Sequence, residues 1–136
     1  MSLNRRKERE LVFQMLFASQ FAPEDETEKL YEELIAECET PEAAESEYIR
    51  NVFCGARDYR ETALEKIRSH AQGWKVERFS KTTLTILQLA IYEMEKREDV
   101  PVKIAINEAV ELSKRFDEDG SRKFVNGILG SVAAAE

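Results

Sequence analysis

Residues 101–132 read PVKIAINEAVELSKRFDEDGSRKFVNGILGSV, two apolar-periodic stretches around the polar break Asp117-Glu118-Asp119-Gly120. Pro101 suits a first-turn position, because its fixed φ is helical and its missing N–H would find no partner there anyway. Ile106, Ala109, Val110, Leu112 and Phe116 then recur at helical spacing up to the break. Ser121 reads as the next cap, and Phe124, Val125, Ile128, Leu129 and Val132 follow at i, i+1, i+4, i+5 and i+8 on one apolar face. Two helices joined by a short polar turn are expected.

The same period extends toward the amino end. Ser80 can cap a helix carrying Leu84, Leu87, Ile91 and Met94 as far as Arg97, with Trp74, Val76 and Phe79 in a short connector before it. Thr40-Pro41 is a start signal for a long third helix, beginning there or nearer Ser46, whose stripe from Ile49, Val52, Phe53 and Ala56 to Ala63, Leu64, Ile67 and Ala71 runs until Gly73. A second helix is expected from Pro23 and its acids through Leu30, Tyr31, Leu34, Ile35 and Cys38, stopping at Glu39. The first, from Asn4 to Gln20, is apolar nearly all round beyond a charged tip. Six main helices and no strand make an all-α chain.

Composition agrees. With 136 residues, 43% apolar, five Gly and three Pro, the chain has enough apolar mass for one sizeable core and too few turn formers for a sandwich. No run approaches the roughly 18 apolar residues of a membrane span, and Asn4-Arg5-Arg6-Lys7 follows the start without a signal core, so a cytoplasmic protein with no membrane association is expected. Cys38 and Cys54 form no C-x-x-C and read as reduced, buried, unreactive thiols.

The formal charge of −7 is unevenly spread: +2 over residues 1–22, −10 over residues 23–48 and +1 over the remainder. A local acidic block does not exclude a basic site elsewhere, since screening acts over roughly 8–10 Å. Enzymatic chemistry has few candidates. His70 is the single histidine and has no spaced partner, reading as a surface or capping residue, and there is no H-E-x-x-H, Walker A or G-x-S-x-G string. No enzyme, no cofactor and no metal are expected. Gly127-Ile128-Leu129-Gly130 matches a nucleotide-clamping G-x-x-G only superficially and reads as close helix packing.

What stands out is the basic run Arg5, Arg6, Lys7 and Arg9 at a helix start, with Arg5 and Arg9 four apart on one face. Cations there oppose the helix dipole by roughly 0.3–1 kcal/mol each, so helix stability does not explain them. Phe13, Phe17 and Phe21 lie four apart on the same helix, and Arg122-Lys123-Phe124 repeats the pairing of base and ring at the start of the last. Basic groups beside open rings suit single-stranded nucleic acid, and the two sets could converge.

The segment from Ile104 to Lys114 (IAINEAVELSK), with Lys123-Phe124-Val125-Asn126-Gly127-Ile128-Leu129, resembles the NusB family of transcription antitermination factors. The likeness continues at Arg5-Arg6-Lys7-Glu8-Arg9-Glu10, Gly73-Trp74 and Leu89-Ala90-Ile91-Tyr92-Glu93, covering essentially the whole chain. It implies one domain, 1–136, of two packed three-helix bundles, 1–73 and 74–136. It also implies binding to boxA-type single-stranded leader RNA together with ribosomal protein NusE, with an indirect effect on the RNA polymerase elongation complex that supports processive ribosomal RNA transcription. The RNA-facing residues it implies are Arg5, Arg6, Lys7, Phe17, Lys123 and Phe124, and the basic run adds Arg9. Position 17 is Phe where many members have Tyr, the 117–119 loop is acidic near the implied site, and Ser113, where Ala is usual, is expected to be neutral. Asn107 and Asn126 read as hydrogen-bonded structural residues, and Tyr92 and Trp74 as core or interface groups. A helical protein-interaction module without direct RNA binding is the rival reading, and a homodimer is possible because helix faces buried in a dimer or in a monomer core look alike in one sequence.

Overall fold

Helical stripes become helices wherever a second element can cover them. The computed structural model describes residues 3–71, 73 and 75–135, with seven α-helices, two 3-10 turns and no strand among these residues. They form two compact units, Met1–Asp58 and Tyr59–Glu136. Among the described residues no helix is long and apolar enough to cross a membrane.

The first unit contains α1 (Arg5–Ser19), α2 (Thr27–Glu37), a 3-10 turn (Pro41–Glu45) and α3 (Glu47–Asp58). Its organiser is α3, which buries Tyr48, Ile49, Val52, Phe53 and Ala56 and packs on both α1 and α2. Val12, Phe13 and Leu16 of α1 and Leu30 and Tyr31 of α2 complete the core. Large side chains buried in this way contribute about 1.5–3 kcal/mol each. α2 starts at Thr27 rather than at Pro23, because Arg57 claims the preceding turn. Its guanidinium donates to the carbonyls of Ala22 (2.9 Å) and Asp25 (2.8 Å) and to the Thr27 hydroxyl (3.0 Å). Thr40-Pro41 opens only the 3-10 turn, and α3 begins after Ser46, whose Oγ accepts from Ile49 N–H at 3.1 Å.

The second unit contains α4 (Arg60–His70), a 3-10 turn (Val76–Arg78), α5 (Lys81–Lys96), α6 (Val102–Phe116) and α7 (Ser121–Ala134). Every residue from Thr85 to Ile91 is buried, since α5 is flanked by α4, α6 and α7. Ser80 caps it as expected, accepting from Thr83 N–H at 3.1 Å. The long third helix of the sequence reading is two helices. Tyr59, at φ −86° and ψ 1°, separates them, and its hydroxyl donates to the Glu95 carboxylate, which also holds the Lys66 ammonium. Ala56 and Ala63 are seven apart, so the apolar stripe runs straight through this break and conceals it. α4 buries Ala63 and Ile67 and packs on α5 and α7, so the compact units part at Asp58/Tyr59 and not at Gly73, leaving three α-helices in one and four in the other.

Smaller expectations are also revised. Gly120, at φ +97°, occupies the cap of α7, and Ser121 is its buried first residue. His70 is half-buried and its Nδ1 lies 2.7 Å from Ser131 Oγ on α7, so it ties two helices together. Cys38 and Cys54 are free thiols, half-buried rather than buried. Burial, with the Glu28 carboxylate adding to it, pushes the Cys54 thiol up to about 11. Ser113 is buried and its hydroxyl has no hydrogen-bond partner among the described residues, which makes it a cost and not a neutral exchange. Tyr92 stacks edge-on against Tyr59 at 6.0 Å, as an internal group. Trp74 lies outside the described residues.

Candidate nucleic-acid interface

The amino tip of α1 is built before it is charged. Asn4 Oδ1 accepts from Lys7 N–H at 2.8 Å, which fixes the first turn and points the following side chains outward. Arg5, Arg6 and Lys7 are all exposed. Arg5 lies 4.1 Å above the centre of the Tyr48 ring and pairs with Glu8 at 3.2 Å. Glu8 in turn accepts from the hydroxyl of Ser46, the residue that caps α3. Lys7 reaches Glu10 at 3.9 Å, a loose and largely solvated pair.

Arg9 departs from the expected pattern. It is 4% exposed, with its guanidinium 5.7 Å from the same Tyr48 ring. The pairing of Arg5 and Arg9 on one face is therefore real, but the face is that of Tyr48. Each cation over the ring gains about 0.5–2 kcal/mol, which offsets the unfavourable helix dipole. Arg9 braces the tip, and the exposed cations are Arg5, Arg6 and Lys7.

Along α1 the three phenylalanines grade from core to solvent. Phe13 is 4% exposed, Phe17 is half-buried, and Phe21 is 66% exposed. Their rings form a ladder, with centroids 6.5 Å apart from Phe13 to Phe17 and 5.7 Å from Phe17 to Phe21. Arg6, Phe13 and Phe17, at i, i+7 and i+11, share one flank, with about 17 Å of helix between the first and the last. That flank pairs a phosphate-seeking cation with a partly open ring.

The second unit, taken by itself, carries a smaller set at the start of α7. Lys123 and Arg122 are exposed, and Phe124 is half-buried, stacked on Phe79 with centroids 5.1 Å apart and planes at 24°. The acidic loop before it is partly committed to structure. Asp117 accepts from the Thr83 hydroxyl at 2.5 Å and from Glu118 N–H at 2.9 Å. Glu118 and Asp119 remain exposed.

Two partners of the site were invisible in the linear sequence. Tyr48 is far from the tip in the chain and carries no signal of its own in the sequence, and Phe79 reads as part of a connector. Conversely, Asn107 and Asn126 are exposed on α6 and α7 rather than packed as structural polar residues. Gly127 and Gly130 are exposed too, and a Cβ at either would meet nothing within 4 Å, so close helix packing does not explain them. Among the described residues no group of three or more His, Cys, Asp or Glu side chains is arranged to hold a metal ion.

Comparison with known proteins gives a consistent answer. The NusB family model matches residues 6–134. Transcription antitermination protein NusB of Limosilactobacillus fermentum is 41% identical over 133 residues, covering 97% of this chain and 94% of the relative. The protein of the same name from Carboxydothermus hydrogenoformans is 43% identical over 134 residues, covering 96% and 93%. Among solved structures, T. maritima NusB superposes with a TM-score of 0.83 at 32% identity, covering 98% of this chain and 93% of that one. A chain from a complex of antitermination factors NusB and NusE with double-stranded RNA shares the fold at a TM-score of 0.79 and 22% identity, covering 97% of each. The match takes in Arg6 and Lys7 of the α1 tip as well as the start of α7, and this chain belongs to the NusB family.

Proposed function

We propose that the chain is a non-enzymatic, RNA-binding transcription antitermination factor of the cytoplasm. It binds boxA-type single-stranded leader RNA together with NusE and so supports processive transcription of ribosomal RNA by the elongating polymerase. The observation that carries this reading is the α1 tip, where exposed cations sit against the helix dipole and are braced by Tyr48 and Glu8. Exposed cations that the stability of their helix does not call for are suited to a polyanion. In this reading Arg5, Arg6 and Lys7 meet phosphates, Arg9 holds the tip through Tyr48, and Phe17 and Phe124 stack on bases with Lys123 beside the latter. Phe at position 17 stacks as Tyr would but offers no hydroxyl. Support also comes from the name of the close relatives and from the related NusB that is solved with NusE and RNA.

The test is a fluorescence titration of a boxA-type RNA with and without NusE, using Phe17→Ala and Phe124→Ala beside the native chain. Loss of one stacked base costs about 1–3 kcal/mol, so each variant should bind roughly 5- to 150-fold more weakly, with NusE tightening every titration. Unchanged affinity in both variants would remove the stacking role, and no RNA binding by the folded native chain would leave the interaction module as the better account.

A further inference from the structure

Lys7, Leu11, Gln14 and Ala18 recur at i, i+4, i+7 and i+11, a single outward stripe along α1 that the RNA reading uses only at Lys7, and Phe21 follows in the turn just beyond the helix. Beside it, between α1 and the carboxyl half of α2, lies an open groove of about 340 Å³. Leu11, Met15, Ala18 and Leu34 give it an apolar lining, Glu37 and Glu39 add two carboxylates, and Lys7 adds one cation at the end nearest the tip. Beyond the end of the stripe stands Phe21, 66% exposed, more than Val102 (39%) or Ile104 (46%), the other exposed large apolar side chains among the described residues. One wall of the groove, from Leu34 to Thr40, belongs to the −10 block of residues 23–48, which no part of the RNA reading requires.

From this juxtaposition we infer that the α1–α2 groove is a docking site for a basic, amphipathic segment of a partner protein. Its apolar side chains enter between Leu11, Ala18 and Leu34, and its Lys or Arg residues meet Glu37 and Glu39. Charge decides among occupants. A nucleic-acid strand or an anionic membrane is repelled by these carboxylates, whereas an apolar segment flanked by cations is drawn by them and gains burial in the groove. An amphipathic helix laid along a groove places anchors at i, i+3, i+4 and i+7, which matches the stripe it would cover. The groove meets the cationic tip at Lys7, while its carboxylates, Glu37 and Glu39, lie on the opposite wall and outside that tip.

The probe is a fluorescein-labelled model helix of alternating leucine and lysine faces, titrated against the full chain while backbone amide shifts are followed by NMR. Saturable binding should move the amides of Leu11, Gln14, Ala18, Leu34 and Glu37. Ala18→Arg, which fills the groove with a like charge, and Glu37→Lys/Glu39→Lys, which reverses its rim, should each weaken the peptide by about tenfold or more. Neither should weaken titration of the boxA-type RNA on the same samples, so that failure of the groove and failure of the RNA site are read separately. Absence of peptide binding, shifts spread evenly over the acidic surface, or equal affinity in both variants would overturn the assignment.

Discussion

Tyr48 is the residue on which the candidate site turns. It contributes no charge, yet Arg5 and Arg9 both lie over its ring, and its burial in α3 means that the cationic tip is anchored to the core of its unit. Arg6 and Lys7 are therefore the better pair to reverse experimentally, since changing Arg5 also removes a contact that supports the helix. Ser113 is the opposite case, a buried hydroxyl without a hydrogen-bond partner among the described residues. Ser113→Ala should raise unfolding stability by about 1 kcal/mol, read as an upward shift in denaturation midpoint at constant slope. A fall in midpoint would mean that the hydroxyl has a native partner. Cys54 ties stability to pH. Its thiol is raised to about 11 in the folded chain, against 9.0 unperturbed, so folding favours the neutral form and its contribution is complete below pH 9. It is lost as pH rises through the folded value. Tyr31, raised mainly by burial, acts in the same direction, so the informative comparison is the native chain against Cys54→Ala. The melting temperature of the variant should decline less steeply from pH 9 upward, and parallel declines would contradict the assignment.

Among elements, α5, α6 and α7 were legible because each carries a start signal and a stripe that ends at a breaker. The division of α3 from α4 was not, since Ala56 and Ala63 keep the same face across Tyr59 and the side chain that holds the Tyr59 hydroxyl, Glu95, lies on α5. Periodicity reports that a face is buried but not what buries it, which is why the expected boundary at Gly73 differs from the boundary of the compact units at Asp58/Tyr59. In the candidate site the cations and rings were legible as residue types, while the burial of Arg9 and the platforms Tyr48 and Phe79 depended on tertiary placement. The start of α7 gives a prediction at this scale. Gly120, at φ +97°, has open space around it, so Gly120→Ala should destabilise by about 1–2 kcal/mol through backbone strain alone. Gly127→Ala, inside the helix and equally unobstructed, should stabilise by about 0.5–1 kcal/mol. Opposite signs in the two denaturation curves check the pair, and a destabilising Gly127→Ala would reveal a close approach at that face.

For the whole molecule, charge is segregated. A net charge of −7 coexists with a cationic tip because the acids are concentrated in residues 23–48. Bulk acidity therefore says little about partners, and ionic strength becomes the most informative variable. Each single-strand phosphate contact contributes about −0.7 to the slope of log affinity against log salt, so roughly four contacts predict a slope near −3. The decisive measurement is that slope for a boxA-type RNA bound to the native chain and to the Arg6→Glu/Lys7→Glu variant, with folding confirmed by circular dichroism. Phosphate recognition at the α1 tip predicts a native slope near −3 and a variant slope of about −1.5 or shallower, with weaker binding at every salt concentration. A native slope near zero, or a variant that binds with the native slope and affinity, would contradict it.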